Sequence, residues 1–323
     1  MSVIQLLIPD DYQHIGPQLA ELQQDPAYAC RSLGDLCRAP DAGEALAQAE
    51  ALLLIRERTV VDEALLARMP RLRLVSQTGK LARNIDVEAC SRAGVAVVEG
   101  SGSPYAPAEL AWLLILAARR RLSENIDSLR QGQWQGPVGQ AVRGQTLGIL
   151  GLGKIGKLVA GYGQAFGMRI LVWGSERARE EAQALGYQPA ASREAFFAEA
   201  DVISLHQRLV AATSGSITLD DLMRMKTDAL LVNISRAELI APGALASALD
   251  AGRPGFAALD VFEQEPVYDT AHPLLRRPNV LCTPHLGYAE KASYRQYLEI
   301  AYRNAVRFFE GDASHVLNPE ALI

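Results

Sequence analysis

Three polar residues in the second half of the chain each follow a short apolar run. They are Arg236 in Val232-Asn233-Ile234-Ser235-Arg236, Glu265 six residues after Leu259, and His285 in Thr283-Pro284-His285. Open α/β sheets bind their ligands beyond the carboxyl ends of the strands, so these positions suit a reaction site. An imidazole carries a proton near neutral pH, and a carboxylate beside it orients the ring and favours its charged form. A guanidinium offers a planar fork that matches a carboxylate, which an ammonium does not. Together they suit proton delivery to a carbonyl that stands next to a carboxylate, as in the hydride reduction of a 2-keto acid.

A second pattern points to the hydride source. Thr146–Leu150 is an apolar run that leads into Gly151-Leu152-Gly153-Lys154-Ile155-Gly156, followed by a helical stretch from Lys157 to Phe166. In a strand–turn–helix of this kind the first glycine allows the tight turn, the second lets the backbone approach a pyrophosphate, and the third lets helix and strand pack closely. The unpaired N–H groups at the helix start, including those of Lys154 and Ile155, face the phosphates. At the end of the next apolar run, where an acid commonly holds the ribose of NAD, the chain reads Trp173-Gly174-Ser175-Glu176-Arg177-Ala178-Arg179. Ser175, Arg177 and Arg179 could surround a 2′-phosphate, which favours NADP; Glu176, displaced by two positions, could instead serve NAD.

These residues need a sheet to hold them. Short β-branched and leucine-rich runs alternate with segments of helical period in two series, the signature of βα repeats around parallel sheets. The first series is Val3–Ile8, Ala51–Ile55, Leu72–Ser76 and Val95–Val98. The second is Thr146–Leu150, Arg169–Trp173, Asp201–Leu205, Ala229–Ile234, Phe256–Val261 and Val280–Thr283. A Gly/Ser/Pro cluster at 100–104 separates them, one long helix is expected from Ala108 to about Arg130, and an amphipathic helix from Ala289 to Glu310.

Composition sets the outer limits. The 323 residues are enough for two domains, with 49% hydrophobic and 21% charged residues and a net charge of −5. No basic run suggests nucleic acid, and the longest apolar stretch, Ala108–Ala118, is too short to cross a membrane. The four cysteines are scattered and form no metal-ligand spacing, so no metal and a cytoplasmic location are expected. His206 reads as structural, and His14, His272 and His315 as surface or loop residues.

Taken with Asn84-Ile85-Asp86-Val87, Arg130-Gln131-Gly132-Gln133-Trp134, Leu205-His206, Thr213 and Met225-Lys226, these motifs resemble the D-isomer-specific 2-hydroxyacid dehydrogenases from about Leu72 to Tyr288. The resemblance implies two Rossmann-like, doubly wound α/β domains. A dinucleotide-binding domain, 104–287, is inserted into a flavodoxin-like substrate domain, 1–103 and 288–323, with the active site in the cleft and a homodimer as the usual assembly. It assigns the proton donor to His285, the orienting acid to Glu265 and the substrate arginine to Arg236. Asp260 and the carbonyl of Ile234 are expected at the nicotinamide, with Gly287 as a further cofactor contact. The substrate carboxylate is expected on a loop of which Gly79 fits the pattern, with the N–H groups of Lys80 and Leu81 as donors, while Leu81 and Arg83 replace the usual glycine and acid. Glyoxylate or hydroxypyruvate is the leading expected substrate. The alternative is a dinucleotide-sensing binding protein of the same fold; a formate dehydrogenase is disfavoured because Glu265 stands where that relative has glutamine.

Overall fold

The computed structural model describes residues 3–19, 22 and 25–323, which fall into two compact units, 1–103 with 290–323 and 104–289. The chain leaves the second unit after Ala289, two residues beyond the expected boundary at 287.

The first unit contains β1 (Ile4–Ile8), β2 (Tyr28–Ser32), α1 (Ala42–Gln48), β3 (Ala51–Leu54), α2 (Glu63–Leu66), β4 (Leu74–Gln77), α3 (Val87–Arg92) and β5 (Ala96–Glu99). Its five parallel strands run in the order β2-β1-β3-β4-β5. Leu7, Leu52, Leu54, Val75 and Val97 pack with residues of α1, α2 and α3. The alternate residues Leu6, Ile8, Leu53 and Leu74 are equally buried, as period-2 side chains of a sheet covered on both faces must be. The strand β2 is absent from the sequence reading because Tyr28-Ala29-Cys30-Arg31-Ser32 lacks an apolar run. It is an edge strand, and its burial thins after Tyr28.

The second unit contains α4 (Tyr105–Arg119), α5 (Leu122–Arg130), β6 (Thr146–Leu150), α6 (Lys154–Ala165), β7 (Arg169–Trp173), α7 (Glu176–Ala184), β8 (Gln188–Pro189), α8 (Arg193–Glu199), β9 (Val202–Leu205), α9 (Leu219–Met223), β10 (Leu230–Asn233), α10 (Ala244–Asp250), β11 (Phe256–Leu259) and β12 (Val280–Cys282). The last helix, α11 (Lys291–Phe309), belongs to the first unit. Seven parallel strands run β12-β11-β10-β9-β6-β7-β8. Leu147, Ile149, Val172 and Val232 face one apolar layer with α4 and α6, while Leu150, Leu171, Ile203 and Leu231 face the other with α8, α9 and α10.

The helix expected from Ala108 to Arg130 is two helices. The Arg119 guanidinium is drawn inward to donate to the carbonyls of Asp228 and Asp201 and to the Gln140 side chain. Two residues later Arg121 takes a left-handed φ of 51°, with its side chain paired to Glu124. Burying a guanidinium without hydrogen bonds is costly, and those bonds turn the chain. No described helix is long and apolar enough to cross a membrane.

Candidate active site

Three adjacent parallel strands, β10, β11 and β12, deliver the polar residues to one edge of the second sheet. The ladder continues past the strands, with the Asp260 N–H donating to the Asn233 carbonyl (2.9 Å) and the Thr283 N–H to that of Leu259 (2.8 Å). The register thus carries into the loops that bear Arg236, Glu265 and His285.

His285 sits in a left-handed turn, φ 52°, which L side chains adopt at a cost. Its Nδ1 lies 2.5 Å from Glu265 Oε2, and its ring meets Tyr288 edge-on at 5.2 Å. The histidine side chain is about one-fifth exposed. The other oxygen of Glu265 accepts the Phe262 N–H at 2.9 Å. Burial pushes the Glu265 carboxyl up, but the His285 hydrogen bond and charge, the Phe262 N–H and Arg236 outweigh it and hold the group below the usual carboxylate range. The residue is therefore an ionised acceptor for the imidazole at neutral pH.

Asp260 is fully buried and takes a larger part in this turn than its sequence position suggested. Its oxygens accept Thr283 Oγ1 (2.6 Å) and the N–H groups of Leu286 (2.7 Å) and Gly287 (2.9 Å). Burial raises its carboxyl, and the hydrogen bonds and His285 only partly offset that rise. Gly287, expected at the cofactor, spends its N–H on this carboxylate.

Arg236 follows a turn pinned by Asn233, whose amide donates to the Arg236 carbonyl (2.9 Å) and accepts from the Ser235 N–H (3.0 Å). Ser235 Oγ donates in turn to the Leu205 carbonyl. Asn233 was passed over in the sequence, where a buried asparagine at a strand end carries little signal; Ile234 beside it is buried.

Further along the same edge, between β6 and α6, the three motif glycines meet three different constraints. Gly151 has φ 98° and would place a Cβ 3.1 Å from the His206–Gln207 backbone. Gly153 faces open space, and a Cβ on Gly156 would stand 2.3 Å from the Gly151 carbonyl oxygen. This is a cradle that side chains would fill, opening onto the first turn of α6 with Lys154 and Ile155, and it fits a dinucleotide pyrophosphate. At the end of β7, Ser175 Oγ caps α7 by accepting the Ala178 N–H, which leaves the hydroxyl hydrogen to donate elsewhere. Arg177 and Glu176 are exposed. Arg179 lies over the Trp173 ring, 5.0 Å from its centroid.

His206 is half-buried, but both ring nitrogens are shielded from solvent and have no partner among the described residues, and desolvation pushes its pKa down to about 3. His14, His272 and His315 lie in loops, as expected, the first exposed and the other two half-buried; His272 Nδ1 accepts the Leu274 N–H.

In the first unit, Gly79 has φ 91°, and the Arg56 guanidinium fills the place a Cβ would occupy, 1.8 Å from it. The Leu81 N–H, expected to await a ligand, donates to Glu99 Oε2 at 2.8 Å, and Lys80 pairs with Glu99 Oε1. Arg83 is exposed. Neither Arg56 nor Glu99 was anticipated, since each lies on a different strand end from the loop it touches.

Residues 112–287 match the family described as D-isomer specific 2-hydroxyacid dehydrogenase, NAD binding domain. A glyoxylate reductase from Aeropyrum pernix is 40% identical over 261 residues, 78% of this chain and 77% of that protein. A D-3-phosphoglycerate dehydrogenase from Methanocaldococcus jannaschii is 34% identical over 271 residues, 83% of this chain but 51% of that longer protein. Among solved structures, a phosphoglycerate oxidoreductase from Vibrio cholerae O395 superposes with a TM-score of 0.90 at 50% identity, covering 95% of this chain and 99% of that one. A D-lactate dehydrogenase from Aquifex aeolicus, complexed with NAD and lactic acid, gives 0.75 at 26% identity over 97% and 99% of the two chains.

Proposed function

The chain belongs to the D-isomer specific 2-hydroxyacid dehydrogenase family, and from that premise we propose that it reduces a small 2-keto acid, glyoxylate or hydroxypyruvate, to the D-2-hydroxy acid with NADPH. The observation that carries the reading is the 2.5 Å contact between His285 Nδ1 and Glu265 Oε2 at the edge of the sheet.

With Nδ1 committed to Glu265, the ring is fixed and Nε2 is the nitrogen that faces substrate. Protonated His285 gives its Nε2 proton to the keto oxygen as the carbon is reduced, and the ionised Glu265 stabilises the imidazolium that must form before each turnover. Arg236 grips the substrate carboxylate and keto oxygen with its fork. Asp260, by tying down the N–H groups of Leu286 and Gly287, holds the His285 turn, and its remaining acceptor capacity suits the nicotinamide carboxamide together with the Ile234 carbonyl. Gly151, Gly153, Lys154, Ile155 and Gly156 hold the pyrophosphate, and the bound dinucleotide supplies the hydride. In the loop Gly79-Lys80-Leu81 the backbone of Gly79 and Lys80 orients the substrate carboxylate, the Leu81 N–H being taken by Glu99.

For the choice of NADPH, the support is the lack of an acid at the end of β7 together with the Ser175 hydroxyl and the exposed Arg177. A homodimer is proposed on the apolar residues that α4, α5 and the following segment leave exposed, namely Leu113, Ile126, Leu129, Trp134 and Val138. Sedimentation should give twice the 35.0 kDa chain mass.

The test is nicotinamide absorbance with NADPH and NADH against glyoxylate, hydroxypyruvate, pyruvate and a bulkier 2-keto acid. Turnover of the two small acids, faster with NADPH, is expected. Preference for NADH would move the ribose contact to Glu176, and tight cofactor binding without any turnover would replace the enzyme by a dinucleotide sensor.

A further inference from the structure

We propose that Glu99 sets the charge selectivity of the substrate loop, cancelling Lys80 so that the loop accepts 2-keto acids with one negative charge and rejects those with two. This rests on the reading of Gly79-Lys80-Leu81 as the substrate loop.

The loop carries cations at a site that binds a single carboxylate: Arg56 lies against Gly79, its Nη1 donating to the Thr78 carbonyl, and Lys80 follows. Left alone, such a cluster would favour a second anionic group on the substrate. Glu99 changes that balance from a fixed position. It pairs in register with Gln77 on β4, the Gly100 N–H donates to the Gly79 carbonyl at 2.8 Å, and the Glu99 carbonyl accepts the Asn304 amide at 3.2 Å. The backbone is thus locked on both sides of the residue, and the sheet itself delivers the carboxylate to the loop. One oxygen accepts the Leu81 N–H and the other pairs with the Lys80 ammonium.

A carboxylate of this chain therefore occupies an N–H and a cation, the two kinds of partner that an additional anionic group of a ligand would need. Its side chain is about one-quarter exposed and that of Lys80 about seven-tenths, so the pair lies where a ligand's charge is felt. Among the described residues the N–H groups of Gly79 and Lys80 have no protein acceptor, which leaves them for the single substrate carboxylate. A dianionic acid meets Glu99 as a repelling charge in place of a cation, and specificity arises from that repulsion as well as from the contacts made.

The experiment compares kcat/KM for glyoxylate and hydroxypyruvate with that for oxaloacetate, which carries a second carboxylate. The intact enzyme should prefer the monoanions at least tenfold. Glu99→Gln keeps an oxygen for the Leu81 N–H but removes the charge, and should raise the relative kcat/KM for oxaloacetate at least tenfold, through KM, with a gain that fades as salt is added. The double variant K80Q/E99Q should lose that gain. An intact enzyme indifferent to the second charge, or a Glu99→Gln ratio that moves less than twofold, overturns the proposal even if the variant proves unstable in the second case. Should the intact enzyme reduce none of these acids, the reading of function fails separately. Calorimetric titration with inorganic phosphate then decides about Glu99: tenfold tighter binding by Glu99→Gln than by the intact chain, abolished in K80Q/E99Q, is expected, and equal affinities refute it.

Discussion

The turn at His285 and the loop at Gly79 use the same device, a carboxylate that takes the N–H groups of a segment beyond a strand end, in opposite surroundings. Asp260 is fully buried and accepts three hydrogen bonds, whereas Glu99 is partly exposed, accepts one N–H and pairs with an ammonium in solvent. In a dry site an unmade bond to a carboxylate is expensive, so Asp260 fixes a geometry, including the left-handed backbone of His285. Near water the same bonds exchange at little cost, so Glu99 adjusts charge more than shape.

The largest effect that would test the contrast is at His285. His285→Ala should lower kcat/KM by about 10³-fold, within the range for loss of a general acid, while thermal unfolding hardly moves. Turnover near that of the intact enzyme would remove this turn from the chemistry. Asp260→Ala should do both kinds of damage. Leaving the Leu286 and Gly287 N–H groups without an acceptor should cost about 2–3 kcal/mol in urea unfolding, and kcat should fall with it. If only KM for cofactor changed, Asp260 would be a ligand contact and not the anchor of the turn.

Burial also acts beside Gly151, at His206. His206 is held neutral with a pKa near 3, against 6.5 for the free side chain. Between those values the unfolded chain binds a proton that the folded chain does not, so stability is fully present above about pH 6.5 and is lost as pH falls toward 3. Roughly 2 kcal/mol should disappear between pH 7.5 and 5, and His206→Gln should flatten that slope in urea titrations. An unchanged slope would mean that the imidazole finds water or a partner. On the exposed side, Arg177→Ala should lower the preference for NADPH over NADH by about tenfold, or about 1.4 kcal/mol, read from the two kcat/KM values. The smallest change belongs to the loop: Glu99→Gln should alter stability by less than about 1 kcal/mol, as for other surface pairs. A loss of several kcal/mol would make Glu99 a second Asp260 and erase the distinction.

Much of this was legible from residue order. Strands with uninterrupted apolar runs, such as Leu230–Asn233, and the strand–glycine–helix around Gly151 follow from side-chain period and from backbone that only glycine allows. Strands without such runs escaped, as with Tyr28–Ser32 and the two-residue Gln188–Pro189, because edge strands need little burial on either face. The break at Arg120 escaped because the cause is long-range: Arg119 reaches carbonyls more than eighty residues away in sequence. For the same reason Asn233 carried no sign of the turn it holds.

By itself, then, the sequence determined the alternation of strands and helices, the glycine cradle and the kinds of group available for chemistry, since these depend on local period and residue type. Only the tertiary structure decided which groups meet. The adjacency of β10, β11 and β12 sets Glu265 against His285 and Asp260 beneath it, and the adjacency of β4 and β5 sets Glu99 against Lys80. Hydrogen bonds and charge act over a few ångströms of space, and separation along the chain says nothing about that distance until the strands have paired.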